Sequence, residues 1–463
     1  MLNLPQHILL WMLAAGLVAL CLWDCFLFIV VVNLILCSLY FCVMLLKCGL
    51  MFLAEWRDPR VRIAPQDVDA LRKSALPVYT VMVPLYHEAG VAVSLMRAID
   101  ALEYPGEMLD VKLLLEADDT ETIAAVQKAM LDAKTQPEIV LAPSAGPRTK
   151  PRACNEGLAR ARGEFTVVYD AEDRPDPDQL LKAVAAFRKL ETRIACLQCA
   201  LDFYNPQRNW LTRQFTVEYA AWFALFLPGL HVADLPIPLG GTSNHFRTTT
   251  LRAVGGWDPY NLTEDCELGM RLHATGNRTA ILASTTWEEA SSECGVWMRQ
   301  RSRWSKGYAQ TFLALTRRPF RLARQLGLRV LAGFLLVVGG FTLIQLVNPV
   351  YWVVGGLYLA IRWQMLYAGD RMSEFFFTVS IALVFANILF ILANLAAARR
   401  RGGDRLYLAA LMSPAYWVMA SLATWRGVLQ LITKPFYWEK TPHGPHSAFG
   451  NLISASSHNP PFQ

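Results

Sequence analysis

Apolar residues crowd the two ends of the chain and thin out between them. Residues 8–53 are almost continuously apolar, interrupted by Asp24, Asn33 and Lys47. A helix needs about 20 apolar residues to cross a bilayer. The run is therefore long enough for two spans with a tight turn near Trp23 and Asp24, or for one broken span. It is too long for a signal peptide, and it lacks a basic start and a small-residue cleavage site. Arg57, Arg60, Arg62, Arg72 and Lys73 follow closely, and the positive-inside bias sets that side in the cytoplasm. Apolar runs resume after residue 325, with spans expected near 327–347, 349–362, 375–397 and 406–427. Six spans keep the middle of the chain and its tail on one side. They put Arg399, Arg400, Arg401 and Arg405 on the other, against the same bias.

Between the ends the pattern changes period. Short apolar runs at 78–84, 111–115, 139–142 and 165–169 read as buried strands, separated by helical stretches at 91–102, 123–133, 155–162 and 177–190. This alternation predicts an α/β domain built on a parallel sheet covered on both faces. Ligands of such folds bind beyond the carboxyl ends of the strands. Residues 297–324 are basic and aromatic, like a helix lying along a membrane surface. The expected organisation is an N-terminal hairpin (1–55), a cytosolic domain (56–296), an interfacial segment (297–325), C-terminal membrane helices (326–430) and a cytosolic tail (431–463).

Composition agrees with that division. The chain is 54% hydrophobic and 18% charged, against about 25% charged in ordinary soluble domains. A net charge of +6 is modest, is explained by basic residues near membrane ends and does not point to nucleic acid. The ten cysteines form no disulfide framework, and the Cys196–Cys199 pair lacks the second ligand pair that zinc requires. That pair reads as buried thiols on a strand, in a reducing compartment.

Four clusters carry candidate chemistry. Glu116-Ala117-Asp118-Asp119 follows a strand, where carboxylates can hold ribose hydroxyls and a base; acidic turns are also common there. Asp170-Ala171-Glu172-Asp173 follows another strand. Spaced carboxylates suit a divalent ion, since hard cations take oxygen ligands, and such an ion would bridge the phosphates of a nucleoside diphosphate. A solvated acidic turn leading into Pro175-Asp176-Pro177 has the same pattern. Thr263-Glu264-Asp265 offers a general base for a sugar hydroxyl, and Thr263 is also placed to cap a helix starting at Glu264. Gln300-Arg301-Ser302-Arg303-Trp304 combines forked phosphate donors with an aromatic platform for a pyranose ring, or is a basic interfacial helix with a Trp anchor.

In this order the clusters resemble the motifs of the processive family 2 glycosyltransferases, the branch of cellulose, hyaluronan, chitin and mannan synthases: an early Asp, a DxD, a TED and a Q(Q/R)xRW. Glu88 in Pro84-Leu85-Tyr86-His87-Glu88, Lys150-Pro151 with Asn155 and Gly157, and the small-residue loop Gly240-Gly241-Thr242-Ser243 add to the likeness. The closing Trp438-Glu439-Lys440-Thr441 with His443-Gly444 is similar to bacterial exopolysaccharide synthases of the NfrB type. The resemblance departs at Glu172, which stands where the second Asp of DxD is expected.

The resemblance implies a GT-A (Rossmann-like) cytosolic domain inserted between N- and C-terminal transmembrane helices of the inner membrane. It implies a nucleotide-sugar donor, most simply a UDP-sugar, held at Glu88, Asp118 or Asp119, and Lys150. It further implies Mg²⁺ or Mn²⁺ on Asp170 and Glu172, with Asp173 beside them. Asp265 becomes the base of an inverting transfer. Glu264, Gln300, Arg301, Arg303 and Trp304 would meet the pyrophosphate and the growing polysaccharide. The spans would then line an exit through the lipid bilayer toward periplasmic or outer-membrane export proteins. The competing expectation is a non-processive enzyme that adds one sugar to a lipid carrier.

Overall fold

The computed structural model describes residues 3–143, 148–362 and 371–434, apart from the side chains of Phe26 and of residues 354–380. The Trp438–Thr441 and His443-Gly444 motifs, and most of the expected tail, lie outside the described residues. Two apolar helices come first, α1 (Leu4–Trp23) and α2 (Cys25–Arg57), parted at Asp24 where the turn was expected. After α3 (Pro65–Arg72) the chain alternates as its pattern predicts: β1 (Tyr79–Leu85), α4 (Ala92–Asp100), β2 (Leu109–Glu116), α5 (Thr120–Met130), β3 (Glu138–Ala142), α6 (Lys150–Arg160), β4 (Phe165–Val168), β5 (Arg174–Pro175), α7 (Gln179–Lys189) and β6 (Ile194–Phe203). The buried thiols of Cys196 and Cys199 lie on β6.

The sheet runs β3-β2-β1-β4-β7-β6-β8-β5, with β7 at Asn244–Arg247 and β8 at Arg278–Glu288. It is mixed rather than parallel throughout. The pairs β1–β2, β1–β4, β2–β3 and β6–β8 are parallel, while β7 lies antiparallel to both β4 and β6 and β5 antiparallel to β8. The sequence Asn-His-Phe-Arg hides β7, because a central strand usually reads as an apolar run. His245 is tolerated there, fully buried, because Tyr79 Oη lies 2.7 Å from its Nδ1 and Gln179 Oε1 3.2 Å from its Nε2. Burial drives the His245 pKa down to about 3, so it stays a neutral partner.

Helices α4, α5 and α7 cover one face of the sheet through Leu95, Met96, Val126 and Leu180. The other face does not end at a domain surface. Its core runs from Met82 and Leu114 through Phe215 and Phe226 into Val43 and Met51 of α2, Phe334 and Trp417. The link is a helical segment absent from the expected elements, α8 (Trp210–Tyr219), a π-helical stretch (Ala220–Phe226) and α9 (Leu227–Val232). It is long and apolar enough to cross a membrane, yet most of it is buried against the rest of the chain. At Gly229 a Cβ would meet the carbonyl oxygen of Leu50 at 2.1 Å, so α9 and α2 touch backbone to backbone.

After α10 (Thr248–Ala253) and α11 (Glu264–Ala274), α12 (Cys294–Leu315) leads to the C-terminal helices. Here the expected spans need correction. Instead of breaking between 347 and 349, the chain kinks at Gly327 (φ 74°) within α13 (Pro319–Phe334) and then continues through a π-helical turn (Leu335–Gly340) into α14 (Phe341–Arg362), with Pro349 inside α14. Proline is tolerated in membrane helices, where neighbours re-satisfy the freed backbone groups. Helix α15 (Arg371–Arg401) ends against the sheet domain. Arg400 Nε lies 2.6 Å from Glu55 at the end of α2, and Arg401 pairs with Asp202 at the end of β6 while its guanidinium sits 4.9 Å from the Trp287 ring. The arginine run therefore meets the domain. The last helices, α16 (Asp404–Leu411) and α17 (Ser413–Thr433), meet at 59°. Among the described residues five helices are long and apolar enough to cross a membrane, or six if this bent pair counts as one.

Two outcomes follow from the arginine contacts. A single cysteine introduced at Gly402 will react with an impermeant maleimide only from the membrane face that exposes the sheet domain; reaction from the opposite face restores the six-span topology. Arg401→Ala strands the carboxylate of Asp202 in a site only 13% exposed, which costs about 3–5 kcal/mol, read as a lower Tm.

Candidate active site

A cavity of about 470 Å³ opens at the carboxyl ends of β1, β2 and β4 and continues between the membrane helices. Tyr86, Glu88, Glu116 and Arg148 line its outer end, Asp170, Lys150 and Asp265 its middle, and Gln345, Asn394 and Trp417 its membrane end.

At the outer end the early acidic cluster divides its labour differently from expectation. Asp119 is only 3% exposed and is consumed as the N-cap of α5, accepting from Thr122 N at 3.3 Å and from His87 N at 2.6 Å. It thereby pins the turn after β1, where His87 sits at φ 50°. Asp118 lies 2.7 Å from Arg148 and stands behind it. Neither Asp118 nor Asp119 reaches the cavity wall; Glu116, the last residue of β2, does. Glu116 is 4% exposed, and burial raises its pKa. Glu88 also lines the wall, its N–H bonded to Thr122 Oγ1 at 3.0 Å.

In the middle, Asp170 and Glu172 face the cavity, whereas Asp173 turns inward. Asp173 accepts from Asp170 N at 2.8 Å and from the Thr242 hydroxyl, and is 2% exposed. It braces the turn rather than presenting a ligand. Burial, then the neighbouring Asp170 charge, pushes its carboxyl well above the usual range. Lys150, the first residue of α6, donates to Asp170 and to Gly241 O at 2.6 Å. Burial opposes its charge, but Asp170 and Glu264 outweigh burial and its pKa is raised. Glu288 at the end of β8 adds another carboxylate to the wall, raised by burial and then by Asp173, Asp170 and Glu172.

These residues fit a divalent cation in one particular way. Among the described residues no three His, Cys, Asp or Glu side chains converge at ligating distance. A small hard cation that keeps its waters and binds substrate phosphates needs only one or two protein carboxylates. Asp170 and Glu172 supply that number, in a wall where carboxylates are crowded enough to raise one another's pKa. The departure at Glu172 leaves an oxygen ligand in place.

Asp265 lies in the first turn of α11. The cap expected from Thr263 is not made; its hydroxyl lies 3.2 Å from Thr311 Oγ1 of α12 instead. A Cβ at Gly307 would meet Thr263 Cγ2 at 2.4 Å, so α12 presses directly on this loop. The loop is also clamped from α6. Asn155 donates to Trp257 O at 2.7 Å and accepts from Trp257 N at 2.9 Å, while Gly256, at φ 64°, leaves room for the amide where a Cβ would sit 2.3 Å from its Oδ1. Asp265 Oδ1 accepts from Cys266 N at 2.7 Å. Burial raises the pKa of both Glu264 and Asp265, and Asp265 raises Glu264 further.

Gln300, Arg303 and Trp304 come to the same wall from α12. The charges acting on Arg303 are Glu264, Asp170, Glu172 and Asp265. Trp304, anticipated as exposed, is half-buried, with Phe215 and Tyr219 at ring distances of 6.1 and 6.5 Å. Arg301 also lines the cavity, where it pairs with Glu218 of α8. Glu116 belongs to the first candidate cluster, whereas Glu288 and Glu218 are wall residues that motif reading missed, although Glu288 ends a strand as the recognised clusters follow one.

A family model for glycosyltransferase-like family 2 proteins matches residues 77–307. The chain is 28% identical over 239 residues to a β-monoglucosyldiacylglycerol synthase of Synechocystis, covering 51% of this chain and 49% of that one. It is 25% identical over 246 residues to a probable glucomannan 4-β-mannosyltransferase of Arabidopsis thaliana, covering 52% and 44%. It thus spans about half the length of these curated relatives. A solved mannosyltransferase from Pyrobaculum calidifontis, in complex with GDP-Man and Mn²⁺, shares 19% identity at a TM-score of 0.49, covering 86% of this chain and 99% of that one. The fold is a GT-A-like α/β fold with a mixed sheet, flanked by apolar helices.

Asn155→Leu removes both ends of the clamp on Trp257 and leaves buried backbone groups unpaired, at about 1–3 kcal/mol. The expected result is a lower Tm together with faster hydrogen exchange at 255–265. Unchanged exchange there would show that the clamp does not hold the loop.

Proposed function

Because residues 77–307 are a glycosyltransferase family 2-like domain, we propose that the chain is an inverting membrane glycosyltransferase. In this reading it polymerises sugar from a nucleotide-sugar donor, a UDP-sugar, into a β-linked polysaccharide and passes the product between its own helices. The observation that carries the proposal is the single cavity joining the strand ends to the membrane helices. Its membrane end carries Gln345, Asn348, Asn394, Ser413 and Thr424 beside aromatic rings. Polar side chains within membrane helices are costly and mark ligand paths, and hydroxyls leaving water need such partners.

The chemistry follows from the wall. Glu116 and Arg148, with Tyr86, form the end that receives the nucleoside. Asp170 and Glu172 would hold Mg²⁺ or Mn²⁺, which when bound supplies charge for the leaving diphosphate. Arg303 and Gln300 bind the diphosphate from α12, and Lys150 keeps Asp170 in place. Trp304 offers its ring to the acceptor sugar. Asp265 takes the proton of the acceptor hydroxyl as that oxygen attacks the anomeric carbon and the bond to the nucleoside diphosphate breaks. A single displacement inverts the anomeric centre, so an α-linked donor gives a β-linked product. The inner membrane, with the catalytic domain in the cytoplasm, is the location this reading requires.

The glucomannan relative supports polymer formation, and the diacylglycerol relative supports a second reading in which one sugar is placed on a lipid. Radiolabelled donor supplied to membranes separates them: a ladder of chain lengths is expected, and a single glycolipid spot would sink the polymerase reading. Asp265→Asn should lower kcat by about 100- to 10,000-fold, the range of a general base, with donor KM little changed. Unchanged turnover removes Asp265 as the base. Since burial raises the Asp265 pKa, and the base acts only when deprotonated, activity should rise with pH along a limb lying clearly above the ordinary Asp value of about 3.9. A limb at that ordinary value would contradict the assignment.

A further inference from the structure

Arg301 belongs to the α12 motif and lines the same cavity, but other partners hold its side chain. Residues 301 and 303 are about 200° apart around a helix. Arg303 is acted on by the carboxylates of the diphosphate region. Arg301 instead packs with Trp297 and Trp304, its neighbours at i−4 and i+3. Its guanidinium carbon lies 4.7 Å from the Trp304 ring centroid, 5.5 Å from Trp297 and 4.9 Å from Phe215 of α8. A planar cation among aromatic faces fixes the rings as much as itself.

Two residues outside the motif set that guanidinium. Glu218 of α8 pairs with it directly. The Tyr416 hydroxyl of α17 donates to Glu218 at 2.6 Å and accepts from Arg301 at 3.2 Å and from Trp297 Nε1 at 3.1 Å. Three elements distant in sequence thus converge on one guanidinium. Helix α17 lies close along α12, where a Cβ at Gly427 would meet Ser302 O at 2.4 Å. We infer that Glu218 and Tyr416 are positioning residues for the acceptor: acting through Arg301, they hold the Trp304 ring in the plane on which the acceptor sugar stacks. The inference rests on the proposed transferase reading. It assigns Arg301 to the acceptor side and makes Tyr416 of α17, which lines the same cavity, part of the acceptor site.

The test separates acceptor from donor. Nucleoside diphosphate release is measured in membranes holding the full chain, with UDP-glucose and GDP-mannose as donors, each against a range of β-linked gluco- and manno-tetraose. Glu218→Gln and Tyr416→Phe should each raise the half-saturating acceptor concentration about tenfold and leave donor KM within twofold. Arg301→Lys, which keeps the charge but loses the planar stack, should show the same split. Tyr416→Phe retains the ring, so it reports on the hydroxyl even if Glu218→Gln fails to accumulate. A rise in donor KM in Arg301→Lys would place Arg301 on the diphosphate and overturn the inference, as would variants with both constants unchanged. Wild-type membranes inert with every donor and acceptor pair would remove the transferase reading for these sugars and this inference with it.

Discussion

The Lys150 ammonium joins the two halves of the sheet at the place where charge is most crowded. It binds Asp170, beyond the end of parallel strand β4, and the carbonyl of Gly241, which leads into antiparallel strand β7. Around it stand Glu172, Asp173, Glu264, Asp265 and Glu288. Burial raises four of these, Asp173, Glu264, Asp265 and Glu288, and repulsion from neighbouring carboxylates adds to it. Like charges this close cannot all ionise without a compensating cation. Lys150 and Arg303 supply part of that compensation, and a diphosphate-bound divalent ion would supply more.

A second constraint comes from the sheet's far face. Helix α6 covers part of it, and α8 and α9 join the rest to α2 and the C-terminal helices in one core. Moving the sheet relative to the membrane would expose that core. The pairs Arg400–Glu55 and Arg401–Asp202 close its edge. Rigid union explains how a cavity can pass from strand ends to membrane helices without an intervening gap, which a domain tethered by a linker would not allow.

Much of this was legible in the sequence, for physical reasons that also mark its limits. Strands β1 to β4 and their helices follow apolar runs with clear period, and the rule that ligands gather at carboxyl ends of strands found the turns at 170 and 116. It did not choose among neighbours there. Within β2, Leu113 and Leu115 face one core while Leu114 faces the other, so the pleat carries Glu116 to the cavity with Leu114. Asp118 and Asp119 lie beyond the strand, where alternation no longer applies, and capping claims Asp119. Strand β7 was hidden because a buried histidine with two partners does not look apolar. The α8–α9 segment was hidden because Thr212, Gln214 and Thr216, all buried, break its apolar face. The spans expected at 327–347 and 349–362 are joined through Pro349 inside α14, and contacts that no local pattern reports bring Arg400 and Arg401 to Glu55 and Asp202.

Those errors share a cause: the parts that sequence pattern misplaced are the parts joining membrane to catalytic domain. A local pattern reports what a segment does alone. Segment 210–232 and the end of α15 are shaped by what they meet, a sheet face on one side and membrane helices on the other. The same holds inside the α12 motif. Its residues were expected to meet both the pyrophosphate and the acceptor, and Arg301 answers to α8 and α17. In the proposed reading, a helix with diphosphate ligands on one face and an aromatic cation cluster on the next keeps donor and acceptor in fixed register, because both hang from the same backbone.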